Sequence, residues 1–157
     1  MPDKKTIHDS FISTCVERLA VSRYVCVLFL IGASACQTIG VQRSHAGYNV
    51  VSASVGAEMM LDSPDVVVVD VRPHAEYDGP QGHIAGAISA PFHSIERHLP
   101  ELLPYQKATV IVYGATTNDG ATGAELLSAA GFRSVVLLSG GLSDWLALGY
   151  RTVGGNH

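Results

Sequence analysis

The segment Thr109 to Phe132, TVIVYGATTNDGATGAELLSAAGF, places the strongest constraint on this chain. TVIVY is rich in β-branched residues and predicts a strand. It runs through the short polar stretch GATTND into GATGAELLSAAGF, which predicts a helix from Gly120. A strand that feeds a helix through a short loop belongs in a sheet of parallel strands. The N-terminus of such a helix leaves backbone N–H groups directed into the loop, where an anion or a developing negative charge is stabilised. Reacting groups of α/β enzymes sit on loops of this kind. Here the first loop residue is Gly114, and the loop holds no Cys, Ser, Lys or His.

The rest of the chain repeats the alternation. Ser52 is suited to cap a helix over SASVGAEMMLD with Val55, Met59 and Met60 on one face, and Ser63-Pro64-Asp65 ends it. Val66 to Val71, VVVVDV, reads as a central strand buried on both faces. Pro73 opens a short helix, PHAEYD. Gly79-Pro80-Gln81-Gly82 is a turn, and Ala87 to Ala90 a short strand. Ser94 starts a helix, SIERHLPELL, with an interruption expected at Pro100. Val135 to Leu138 is a further strand, and Gly140-Gly141 turns the chain into a last helix around Leu142 to Leu148. These elements predict an α/β fold, a central parallel sheet with helices on both faces.

Hydrophobic residues make up 47% of the 157 residues and charged residues 15%, enough for one domain with a real core. The net charge is −4. Lys4-Lys5 is the only cluster of basic residues, which argues against a nucleic-acid partner. The three cysteines, Cys15, Cys26 and Cys36, all precede residue 37. From there on the chain offers no disulfide, no thiolate for a metal and no thiol nucleophile.

Tyr24 to Ala35, YVCVLFLIGASA, is an uncharged, mostly apolar run behind Arg18 and Arg23. It falls short of the roughly 20 residues that span a bilayer. Basic flank, short apolar run and small residues match the layout of a secretory signal peptide. Ala33-Ser34-Ala35-Cys36 resembles a bacterial lipobox, although Ala33 departs from the usual Leu. The resemblance implies lipid attachment at Cys36; the alternative is an ordinary signal peptide or an uncleaved anchor in which Cys36 is incidental. Residues 1–36 are therefore expected to be a signal segment, 37–47 a polar tether and 48–153 the folded domain. The expected location is the bacterial periplasm, with the domain anchored to a membrane through its N-terminus.

Several landmarks of the domain, in order, resemble the rhodanese-like domain. Asp70-Val71-Arg72 with Glu76-Tyr77 is similar to its first signature, and Gly82 to Ile88, GHIAGAI, to its GHIxGAxN/S turn. Leu126-Leu127 with Gly131-Phe132 is similar to the helix after the active-site loop. Gly140-Gly141 and Trp145 to Gly149-Tyr150 are similar to the closing motif. The resemblance covers about residues 47–153 and implies the rhodanese-like fold. It also implies an active-site loop, typically YCxxGxRS, whose Cys carries a persulfide. Matching Tyr113 and Gly131-Phe132 to the family puts Gly114 at the Cys position, Asp119 at the usual Arg and Gly120 at the usual Ser. The loop equivalent is then Gly114, Ala115, Thr116, Thr117, Asn118, Asp119 and Gly120, of the short sulfurtransferase length.

Sulfur transfer needs a thiolate to attack a sulfane sulfur and hold it. Glycine offers none, and the hydroxyls of Thr116 and Thr117 form no persulfide. No catalytic residue, cofactor or metal ligand is therefore expected. Asp119 is expected to cap the helix, so that the loop satisfies its own N–H donors instead of a ligand's. The backbone cradle is expected to persist, so that Gly114→Cys with Asp119→Arg would gain more activity than Gly114→Cys alone. Asp70, Arg72 and Glu76 are expected to form a buried ion pair joining strand to helix, and His83 to hydrogen-bond within its turn. His74, His93 and His98 are read as surface residues, and Trp145 and Leu146 as packed on the sheet. The function implied is a non-catalytic binding or regulatory module for a protein or a small anion. The alternative is a sulfurtransferase using a displaced cysteine.

Overall fold

A computed structural model describes residues 42–43 and 46–155 of the chain. The signal segment, Cys36 and most of the tether lie outside the described residues. Within them, six strands are β1 (Gln42–Arg43), β2 (Asn49–Val51), β3 (Val66–Asp70), β4 (Ile88–Ser89), β5 (Thr109–Tyr113) and β6 (Ser134–Leu138). Five helices are α1 (Ala53–Asp62), α2 (His74–Tyr77), α3 (Ile95–Leu102), α4 (Thr117–Ala129) and α5 (Gly141–Ala147). The sheet order is β1-β2-β6-β5-β3-β4, parallel throughout except for the β1–β2 pair.

Side chains of β5 and β6 alternate between two cores, as the pleat requires. Val110, Val112, Val135 and Leu137 face α3 and α4 through Ile95, Leu102, Ala124 and Leu127. Ile111, Tyr113, Val136 and Leu138 face α1 and α5 through Ala53, Ala57, Leu142 and Trp145. Helices thus cover both faces, which accounts for the continuous apolar runs in β3 and β5. Ser52 caps α1 by accepting from Val55 N–H at 3.4 Å.

Three local expectations are corrected. The stretch read as tether contributes Gln42–Arg43, which pairs antiparallel with Asn49–Val50 and occupies the edge that β2 would otherwise leave open. Helix α3 continues through Pro100 to Leu102. The missing N–H there would have met Glu96, which is exposed and can be served by water. Helix α4 begins at Thr117, three residues before the expected Gly120.

That early start positions the site. β5 is central, flanked by β3 and β6, and its C-terminal end carries Gly114. Ligand crevices of parallel sheets open at the C-terminal ends of such strands. Asp70 and Tyr113 are register partners at the ends of β3 and β5, so their side chains stand side by side.

Candidate functional site

The buried half of the site is a polar cluster beneath the loop. Asp70 is 0% exposed and Arg72 1%. Arg72 Nη2 lies 2.6 Å from Asp70 Oδ2, and Arg72 Nε donates to the same carboxylate at 3.0 and 3.1 Å. The Arg72 backbone N–H adds a bond to Oδ1 at 3.0 Å, and Tyr113 Oη donates to Oδ2 at 2.7 Å. Arg72 Nη2 also donates to Gly82 O at 2.7 Å, while Tyr113 Oη accepts from Ile84 N–H at 3.0 Å. The guanidinium carbon sits 5.7 Å from the centre of the Tyr113 ring. Every charge here is paired and hydrogen-bonded, the condition under which buried charges persist.

The pair joins β3 to β5 and to the Gly82 turn. Glu76 is peripheral to it, 3.9 Å from Arg72 Nη1 and 47% exposed, because the carboxylate of Asp70 already fills the guanidinium's inner edge. His83 also departs from expectation. Its Nδ1 lies 3.0 Å from Tyr77 O, six residues upstream, and its ring stacks on Tyr77 at 3.6 Å. The backbone of the turn is held elsewhere, by Val153, which leaves the ring free to reach α2. His74 and His93 are exposed and His98 is half-buried. Trp145 lies in the core on the α5 face, and its Nε1–H donates to Arg151 O at 3.1 Å.

Tyr113 escaped the sequence reading as a functional position, although it is the one link common to Asp70, Ile84 and Gly114. The signal was present: a hydroxyl-bearing aromatic closing an otherwise apolar central strand needs a polar partner. Burial raises its phenol pKa well above the ordinary value, and the Asp70 carboxylate raises it further. The Ile84 N–H and the Arg72 charge offset only part of this. For Arg72, burial opposes its charge, yet the bond to Asp70 and that carboxylate's field leave the pKa raised.

A stability effect follows at high pH. In the unfolded chain Tyr113 loses its proton near pH 10, whereas in the folded protein it keeps it. The unfolded state then binds fewer protons, so stability falls as pH rises past about 10, by up to ~1.4 kcal/mol per pH unit. Below that pH the contribution is fully present. Tyr113→Phe is expected to be less stable at pH 7, through loss of the bonds to Asp70 and Ile84. It should nevertheless decline less steeply than the unmodified protein between about pH 10 and 11.5. Urea midpoints across that range check both.

The upper half of the site is the loop from Gly114 into α4. Asp119 Oδ2 accepts from Thr116 N–H at 3.2 Å and from the Thr116 hydroxyl at 2.9 Å. This cap draws Thr117 to Asp119 into the first helical turn, and Gly120 N–H bonds back to Thr116 O at 3.2 Å. Thr117 Oγ1 accepts from Gly140 N–H at 2.8 Å. Gly114 O accepts from Leu142 N–H at 2.9 Å, and Ala115 O from Ser143 Oγ at 3.1 Å. The loop is therefore tied to its own helix and to the start of α5.

The packing around Gly114 is backbone on backbone. A Cβ added there would stand 2.6 Å from Gly120 N, 2.7 Å from Asp119 Cβ and 3.0 Å from Asp119 C. Comfortable separations between carbons are about 3.5–4.0 Å, so no side chain fits without moving the helix. Gly141, at φ 58°, presses against Gly114 O from the other side, where a Cβ would overlap that oxygen. The expectation that the backbone cradle persists is thus corrected at Gly114, where the capped turn occupies the space a side chain would need. Among the described residues there is no cysteine, and no group of three or more His, Cys, Asp or Glu is placed to share a metal ion.

Comparison with known proteins agrees with this architecture. Residues 54–148 match the rhodanese-like domain family. The chain is 31% identical over 106 residues to an uncharacterized protein, slr1261, of Synechocystis, covering 67% of this chain but only 56% of that relative. It resembles the solution structure of the rhodanese-like domain of the Anabaena protein Alr3790, at 31% identity and a TM-score of 0.57, over 64% of this chain and 74% of that one. It also resembles a crystal structure of a rhodanese-related protein of Thermoplasma volcanium, at 28% identity and a TM-score of 0.54, over 68% and 99% of the two chains. With a parallel sheet covered on both faces and a strand-loop-helix unit at its centre, the chain belongs to the rhodanese-like domain family.

Proposed function

We propose that this rhodanese-like domain does not transfer sulfur and serves as a binding module. One observation carries the reading: at Gly114, where the resemblance sets the persulfide-bearing Cys, a Cβ would lie 2.6 Å from the backbone nitrogen of Gly120. Sulfur transfer would require a thiolate there to attack the sulfane sulfur of thiosulfate, form an S–S bond and expel sulfite. Glycine supplies no nucleophile, and the capped turn leaves no room for a persulfide. The Thr116 N–H and the Gly120 N–H are engaged within the turn, which removes donors that a small anion would use. That favours a protein partner over an anion. Steady-state sulfur transfer from thiosulfate to cyanide or a dithiol tests the proposal. The full chain should run at the rate of buffer alone, and sustained turnover proportional to protein would refute it.

The module is further proposed to be exported and held at a membrane through its N-terminus. Support comes from the apolar run Tyr24 to Ala35 and the lipobox-like Ala33 to Cys36. Among the described residues no helix is long and apolar enough to cross a membrane, so attachment would rest on the N-terminal segment. Cys36→Ser should move the protein from the membrane fraction to the soluble fraction or leave an unprocessed precursor. Unchanged processing and membrane recovery would contradict lipid attachment at that residue.

A further inference from the structure

We propose that Thr152–Gly155 form a clasp whose docking on the Gly82–Ile84 turn determines how tightly the Gly114 loop is held. The proposal stands whether or not the loop transfers sulfur. Val153 and His83 exchange both backbone hydrogen bonds, each N–H donating to the other's carbonyl at 2.9 Å. The pairing is an isolated bridge. The two backbones meet closely: Gly82 adopts φ 63°, and a Cβ on it would overlap Val153 O. A Cβ on Gly155 would stand 2.6 Å from Pro80 O. Arg151 O, at the root of the clasp, is pinned by Trp145 Nε1–H at 3.1 Å.

The turn under the clasp is the hub of the buried cluster. Gly82 O receives Arg72 Nη2, and Ile84 N–H donates to Tyr113 Oη. Tyr113 is joined by a peptide bond to Gly114. A continuous path therefore runs from Val153 through His83, Ile84 and Tyr113 to Gly114, made only of backbone bonds and buried hydrogen bonds. The clasp is the weak end of that path. Val153 and Gly154 are exposed, and two hydrogen bonds hold the bridge, each worth about 0.5–1.5 kcal/mol net. A contact of that strength opens locally without global unfolding. When it opens, Gly82 and Ile84 lose their backing and Tyr113 one of its fixed partners. The loop and the clasp are thus two ends of one path with a docked and an open state, and the coupling between them must be reciprocal.

Amide hydrogen exchange on the full chain tests this. Val153→Pro removes the N–H that reaches His83 O, whereas Val153→Ala, an exposed side-chain change, keeps both bonds. In the proline variant Ile84 N–H and Leu142 N–H, which donates to Gly114 O, should exchange roughly threefold to tenfold faster. Val136 in β6 should be unaffected, and the alanine variant should match the unmodified protein. Acceleration confined to His83, with Ile84 and Leu142 unchanged, would overturn the proposal. If Val153→Pro does not fold, Tyr113→Phe decides from the opposite end. Exchange at Val153 N–H should then rise by more than at Val136, and an equal change at both would overturn the coupling.

Discussion

Arg72→Met is expected to destabilise the domain by about 3–5 kcal/mol, the cost of leaving a buried charge without its partner. The substitution strands the Asp70 carboxylate, which is 0% exposed, and removes the donor to Gly82 O. For a domain whose whole stability is about 5–15 kcal/mol, that is a large fraction. Urea denaturation should show a much lower midpoint with little change in slope. Asp70→Asn should also destabilise, by leaving the guanidinium without its counter-charge. The double variant should lose clearly less than the sum of the two, since removing both charges leaves neither exposed to an uncompensated site. Strict additivity would mean that the pair is not the unit described here.

Gly114→Cys is expected to destabilise by about 1–3 kcal/mol and to acquire no persulfide, because the new Cβ and Sγ must displace the first turn of α4. Adding Asp119→Arg should not rescue it. That change removes the carboxylate that accepts from Thr116 N–H and hydroxyl, and so costs the helix its cap, typically about 1 kcal/mol. It also sets a cation against the helix N-terminus, where the macrodipole disfavours it. Denaturant midpoints give the stability part, and sulfur transfer from thiosulfate gives the chemical part. An active, stable double variant would show that an open loop is readily reached from this backbone.

Much of the fold was legible because the signals were long and redundant. VVVVDV and TVIVY could only be central strands, and each was followed by a helix with a recognisable start. The short strand at Ile88–Ser89 and the short helix at His74–Tyr77 were legible from their flanking turns, whereas the two short strands before the first helix were not. Asn49–Val51 is three residues long and precedes a helix cap, and Gln42–Arg43 becomes a strand only because a partner edge exists. At the site, the types and order of residues were readable, but their three-dimensional arrangement was not. Asp119 was seen as a cap, yet nothing in GATTND says that the cap would pull Thr117 to Asp119 into the helix and close the space over Gly114. That outcome depends on Gly140 and Gly141, more than 20 residues further along the chain: Gly140 N–H donates to Thr117 Oγ1, and Gly141 packs against Gly114 O. Likewise Asp70, Arg72 and Glu76 were legible as one ion-paired group, but not their ranking: Asp70 takes the short buried contact and Glu76 stays at the exposed margin.

The proposed reading leaves the rhodanese-like domain with no group at the Gly114 loop that holds sulfur. Intact-mass measurement of the full chain after incubation with thiosulfate tests it most directly. The mass should be unchanged, both for the unmodified protein and for its Gly114→Cys variant. A gain of one sulfur atom on the unmodified chain, removable by a thiol, would contradict it by showing that Cys15, Cys26 or Cys36 serves as a displaced acceptor.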